Sequence, residues 1–151
     1  LDRFMMRLVI GYPEPEAEAE ILATHGTQST LEDIGPVTDA AGAARMIGVA
    51  RGVYVAESLR RYIVDIAEAT RRHPDVYLGA SPRAAIMLLR ATRAMAASDG
   101  RDYAIPDDIK VLAIPVLAHR LIVSADAAMS GRDAGTVLAE ALDEVPVPVK
   151  G

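Results

Sequence analysis

The stretch Leu78-Gly79-Ala80-Ser81-Pro82-Arg83-Ala84-Ala85 decides the reading of this chain, because it announces a helix and puts a cation at that helix's positive end. Ser81 supplies an N-cap oxygen, and Pro82 fits the first helical position, whose N–H would lack an intrahelical partner in any case. Arg83 then falls in the first turn, where the macrodipole disfavours a cation by roughly 0.3–1 kcal/mol at an exposed site. An arginine there makes best sense facing an anion that the helix end also attracts, such as a nucleotide phosphate. The competing reading is an arginine paired with a nearby carboxylate such as Asp75, or simply solvated. On position alone that plainer reading is favoured, since most arginines are surface residues with no ligand.

Working outward, the clearest helix lies before this stretch. From about Ala56 to Arg72, the residues Leu59, Tyr62, Ile63, Ile66, Ala67 and Thr70 recur at helical spacing on one face. The other face carries Glu57 with Arg61 and Glu68 with Arg72 in the favourable i,i+4 order, as a solvated face would. The Arg83 helix continues through Ile86, Leu88, Leu89 and Met95 to a stop at Asp99-Gly100, with Met87 and Met95 as core fillers. A further helix starts at Ile105-Pro106-Asp107-Asp108, with two carboxylates in its first turn and Ile109, Leu112 and Ala113 facing inward. Pro115 is expected to kink or end it. Upstream, Pro15 to Leu22 forms an acidic helix closed by His25 and Gly26, and 27–36 reads as a polar connector. A helix over roughly Asp39 to Arg51 is weakened by Gly42 and Gly48, each costing about 1 kcal/mol against alanine.

Two stretches read differently. Phe4, Met6, Leu8 and Ile10 alternate with Met5, Arg7 and Val9 before Gly11-Tyr12-Pro13, which predicts a strand. It has no clear neighbour to pair with, so it is expected to be the severed edge of a larger sheet and the chain a piece of a longer protein. Beyond the last large helix, Leu121-Ile122-Val123 forms a short strand, Ala125 to Asp133 a mobile linker, and Thr136 to Leu142 a final small helix. The fold class is mainly α: a compact bundle of four to five helices behind one strand.

Composition narrows the function. The 151 residues carry a net charge of −5, which argues against a nucleic-acid partner, for which a basic stripe is expected. There is no cysteine, and His25, His73 and His119 are scattered, which argues against a disulfide framework or a zinc or iron site. No apolar run reaches the roughly 18 residues of a membrane span, and no signal-peptide pattern opens the chain, so a cytoplasmic location without membrane insertion is expected. No G-x-x-x-x-G-K-[ST] occurs, and Lys110 and Lys150 follow no glycine-rich loop. Asp107 and Asp108 lie where a helix start wants carboxylates, and Ser58, Ser81 and His119 form no nucleophile and base constellation. Two arginines in special places remain, Arg83 and Arg3.

An ordered series of motifs then carries a resemblance. Leu1-Asp2-Arg3-Phe4 leads into the stretch ending Gly11-Tyr12-Pro13. Tyr62-Ile63-Val64-Asp65, Thr70-Arg71 and Gly79-Ala80-Ser81-Pro82-Arg83 follow. Asp99-Gly100-Arg101-Asp102-Tyr103, Pro106-Asp107-Asp108 and Val116-Leu117-Ala118-His119-Arg120 complete it. Over nearly the whole chain, this series resembles the C-terminal part of MoxR-type AAA+ ATPases. The resemblance implies a helical lid domain behind the last strand of an α/β ATPase core. It implies that Arg3 is an arginine finger serving a neighbouring subunit's nucleotide, and Arg83 a sensor-2 residue contacting ATP phosphate from the lid. The Walker A, Walker B and sensor-1 motifs would all precede Leu1.

The implied organisation is residues 1–13 as the end of the ATPase core with the finger, 14–38 as a helix and connector, 39–124 as the lid, and 125–151 as a linker and short helix. The parent would use ATP and Mg²⁺, in a ring that is expected to be a hexamer, to remodel or mature client protein complexes, with a von Willebrand factor A-domain partner. This chain alone would bind neither ATP nor Mg²⁺ and hydrolyse nothing. The nearest alternative enzyme is a magnesium-chelatase-type AAA+ subunit. The alternative of another class is a non-enzymatic module whose apolar faces at 59–70 and 86–95 bind a partner helix.

Overall fold

The computed structural model describes residues 3–25 and 34–148, and their contacts divide into two compact units. One unit spans 8–46. It contains α1 (Pro15–His25), with Glu16 and Glu18 in its first turn, and the first half of α2 (Ala40–Gly52). Asp39 caps α2, its Oδ1 accepting the Gly42 N–H at 2.6 Å. Gly42 is buried against that cap, and a Cβ there would collide with the Thr38 hydroxyl, so this glycine keeps the helix start closed rather than merely weakening it. Part of the expected connector, 26–33, lies outside the described residues.

The other unit takes in the residues up to 7 and those from 47 onward. Its helices are α3 (Glu57–Arg72), α4 (Pro82–Ser98), α5 (Pro106–Leu117), α6 (Ala125–Met129) and α7 (Ala134–Glu144). A two-stranded antiparallel sheet pairs β1 (Val76–Leu78) with β2 (Ile122–Val123), Val76 facing Val123 and Leu78 facing Ile122. The six α3 residues expected to face inward are the six it buries: Leu59, Tyr62, Ile63, Ile66, Ala67 and Thr70. Each large aliphatic side chain so removed from water is worth about 1.5–3 kcal/mol. They pack with Leu88 of α4, Ile109 and Leu117 of α5 and Leu138 of α7 in one core. The mainly helical class therefore holds, with seven α-helices among the described residues.

Four local expectations are corrected. Residues 4–10 form no strand: backbone pairing needs a neighbouring strand, and among the described residues the backbone bond they donate outside their own segment is that of Arg7 to the Pro115 carbonyl, at 2.8 Å. Pro115 does not end α5, which runs on to Leu117. A single missing N–H near the last turn is tolerated because the Ala118 N–H still reaches the Ile114 carbonyl. The linker expected from Ala125 contains α6, capped by Ser124, whose Oγ accepts the Ala127 N–H at 3.3 Å. Arg61 pairs with Asp65 at 2.8 Å rather than with Glu57, which stands at the N-terminal end of α3 where the dipole already favours it. The Glu68–Arg72 pair forms as expected.

Candidate functional site

The start of α4 is held by the end of α3. Thr70 is fully buried; its hydroxyl donates to the Ala67 carbonyl at 2.7 Å and accepts the Ala80 N–H at 3.0 Å. Arg71 donates from Nε to the Ala80 carbonyl at 2.7 Å. Both polar backbone groups of the buried Ala80 are thereby satisfied, as an interior backbone requires. Gly79 lies directly on the α3 backbone. A Cβ at this position would stand 2.7 Å from Arg71 Cα and 2.8 Å from Arg71 N, so only glycine fits. Ser81 then caps the helix through the Ala84 N–H at 3.2 Å, and Pro82 takes the first helical position. Each residue of the Gly79–Pro82 run thus has a physical task, and their joint effect is to fix Arg83 in the first turn of α4, on an exposed surface. Asp75, a candidate partner for Arg83 on sequence alone, is engaged by Arg132.

The far end of α4 is fixed too. Gly100 turns the chain at φ +73°, and the Arg101 guanidinium grips Asp108 through two bonds, at 2.6 and 2.9 Å. It also reaches Asp99 at 2.9 Å. The Asp108 carboxylate is buried and takes the Ile105 N–H at 2.9 Å, so it caps α5 as well as pairing with Arg101. Burial raises its pKa, but the Arg101 and Ile105 donors win and hold it below the ordinary carboxylate range. Asp108 is accordingly structural, and through Arg101 and Asp108 the Asp-Gly-Arg-Asp-Tyr and Pro-Asp-Asp motifs tie the end of α4 to the start of α5, while Asp107 stands exposed in the first turn of α5.

Arg3 sits in an exposed turn, and its neighbours Phe4 and Met5 are tied by their carbonyls to the end of α5. The tie is made by Arg120, buried at 8% exposure in the 3-10 turn Ala118–Arg120, and by His119. Sequence reasoning gave these two residues no role. A signal was present: Ile109, Ala113, Val116 and Arg120 follow one apolar stripe, so Arg120 is a cation on a buried face. Elsewhere, Arg51, Arg90 and Arg93 line an open groove of about 500 Å³ with Ile47 and Ala50. Among the described residues, no three His, Asp or Glu side chains gather as a metal-ion set, and no helix is long and apolar enough to cross a membrane. The faces 59–70 and 86–95, offered to a partner helix in the non-enzymatic alternative, are largely spent on the chain's own core.

The geometry is that of a helical bundle edged by a two-stranded ribbon, and the comparison with known proteins gives its class. The chain belongs to the AAA lid domain family, which matches residues 68–144, and within it to the MoxR type. It is 32% identical to the Mycobacterium tuberculosis protein "Chaperone MoxR1" over 97% of this chain and 41% of that one. It is 31% identical to "Protein MoxR" of Paracoccus denitrificans over 82% of this chain and 42% of that one. An uncharacterised Bacillus subtilis protein, YeaC, is 37% identical over 99% of this chain and 47% of its own length. This chain therefore spans less than half the length of these relatives. A crystal structure of a Cytophaga hutchinsonii protein, provisionally named an ATPase, superposes with a TM-score of 0.89 at 29% identity. It covers 98% of this chain and 48% of that one.

Proposed function

We propose that this chain is the lid-bearing portion of an ATP-hydrolysing AAA+ protein of MoxR type, in which Arg83 senses nucleotide phosphate and Arg3 acts as an arginine finger toward a neighbouring subunit. The observation that carries the reading is the brace at the start of α4: Thr70, Arg71 and Gly79 fix the backbone so that Arg83 stands at a helix N-terminus. The helix end and a guanidinium there both favour an anion. Arg83 fits a phosphate contact, and on this reading Mg²⁺ would be held by other parts of the protein. Bound MgATP would supply the phosphoryl group to be transferred to water.

Within that reaction Arg83 binds and orients a phosphate from the lid side, so its grip ties lid position to nucleotide state. Arg3, in trans, meets charge that develops only in the transition state. The name of one relative, "Chaperone MoxR1", supports a chaperone-like role; remodelling or maturing protein complexes in a hexameric ring, with a von Willebrand factor A-domain partner and a cytoplasmic location, completes the proposal. The test is Arg83→Ala in the full-length protein. Loss of a charge-assisted contact worth about 1.5–3 kcal/mol should lower ATPase turnover about tenfold or more. Unchanged turnover in a variant of unchanged melting temperature would return Arg83 to an ordinary surface arginine.

A further inference from the structure

We infer that Arg120 is a positioning residue for Arg3: by clamping the carbonyls of Phe4 and Met5 to the end of α5, it sets where the finger stands. The inference rests on the reading of Arg3 given above. The helix end supplies the reason for the clamp. The last carbonyls of an α-helix lack intrahelical partners, and in α5 they recruit the N-terminal segment and Arg120. Pro115 O accepts the Arg7 N–H at 2.8 Å, while Val116 O accepts from Arg120 Nη1. The same guanidinium then reaches across the chain, Nη1 to Met5 O at 3.1 Å and Nη2 to Phe4 O. His119 Nε2 lies 3.3 Å from that Phe4 oxygen and donates to it in its Nε2–H form.

Apolar burial does not hold this segment. Phe4 and Leu8 are 68% and 70% exposed, and within 3–7 only Met6 packs on the core. The polar ties therefore decide its course. They bear on the two residues that follow Arg3 directly, so a shift of the clamp is a shift of the Arg3 backbone. A cation at a helix C-terminus is also favoured by the dipole, and the planar fork of arginine can serve three carbonyls where a lysine ammonium, as a point donor, cannot keep the same geometry. Misplacing a transition-state group by about 1 Å can cost on the order of a hundredfold in rate. The clamp also couples the parts: whatever moves α5 moves the finger with it.

The experiment uses the full-length protein and measures ATPase kcat, KM and melting temperature for Arg3→Ala, Arg120→Gln, Arg120→Lys, His119→Ala and the Arg3→Ala/Arg120→Gln double variant. Arg120→Gln should lower kcat by about tenfold or more with KM within about twofold, because the finger serves the transition state. Arg120→Lys should recover little of that loss, and His119→Ala should lose a smaller factor in the same direction. The double variant should be no slower than Arg3→Ala, since a misplaced finger and an absent one fail at the same step. Mixing Arg120→Gln subunits with a Walker-B variant should restore activity as mixing Arg3→Ala subunits does. Normal kcat for Arg120→Gln beside a slow Arg3→Ala, or multiplied losses in the double variant, would overturn the inference. Normal kcat for Arg3→Ala would overturn the finger reading instead. If Arg120→Gln does not fold, His119→Ala carries the same comparison, and a kcat equal to wild type there overturns the clamp.

Discussion

Replacing Gly79 with alanine adds one methyl group where α3 leaves no space for it. The new Cβ would meet Arg71 Cα at 2.7 Å, Arg71 N at 2.8 Å and Arg71 Cγ at 2.8 Å. Carbon pairs prefer about 3.5–4.0 Å, so one backbone must retreat by on the order of 1 Å. Arg71 Cγ can swing away, but its Cα and N belong to the last turn of a 16-residue helix anchored by six buried side chains. The Gly79-Ala80 segment is what yields. Its retreat stretches the bond from the Ala80 N–H to buried Thr70 and the bond from Arg71 Nε to the Ala80 carbonyl. Overpacking costs about 1–3 kcal/mol and an unsatisfied buried group about as much. The two penalties relieve each other in part, so a total of about 2–4 kcal/mol is expected. For a chain of this size that corresponds to a fall in Tm of roughly 4–16 °C.

The assay is a thermal melt of this chain by far-ultraviolet circular dichroism, with Gly48→Ala as the control. Gly48 lies inside α2 with nothing near a would-be Cβ, so the same methyl group there should raise stability by about 0.4–1 kcal/mol. Opposite signs at the two glycines are the expected result. A Gly79→Ala melt that coincides with wild type would refute the claim that the α4 start is pressed onto α3, and with it the account of how Arg83 is placed.

Two further outcomes follow from buried polar groups. Asp108 has a pKa held below the ordinary carboxylate range, so its contribution to stability is fully present above the unfolded value of about 4 and is lost as pH falls through the lower folded value. Asp108→Asn should cost about 3 kcal/mol near neutral pH, at the low end for a broken buried pair because Arg101 is partly exposed. It should also flatten the acid limb of a Tm-against-pH curve, and an unchanged limb would show that the carboxylate is not paired in solution. The Tyr62 hydroxyl is buried with no hydrogen-bond partner among the described residues, and burial, aided by Asp107, raises its pKa. Tyr62→Phe should therefore leave the denaturant midpoint unchanged or raise it, whereas a loss above about 1 kcal/mol would reveal a partner for the hydroxyl.

What the sequence determined by itself is what depends on near neighbours. The inward face of α3 follows from a 3.6-residue period, the α4 cap from Ser81 followed by Pro82, and the start of α5 from Pro106 followed by two carboxylates. These rules act over three or four residues, so the string is enough to apply them. Arg83 was legible for the same reason, since its oddity is its position in one turn.

Only the tertiary structure decided the rest. Gly79 reads as one more loop glycine until α3 is laid against it. Thr70 reads as the edge of an apolar face until the Ala80 N–H arrives from ten residues away. Residues 4–10 alternate as a strand should, yet a ladder needs a second strand, and what the chain offers Arg7 is the Pro115 carbonyl near the end of α5. Arg120 meets carbonyls 115 and 116 positions distant, beyond any local period. The physical reason is common to all four: a close approach or a buried hydrogen bond belongs to two segments at once, and the free energy that selects the residue appears only when the second segment is in place.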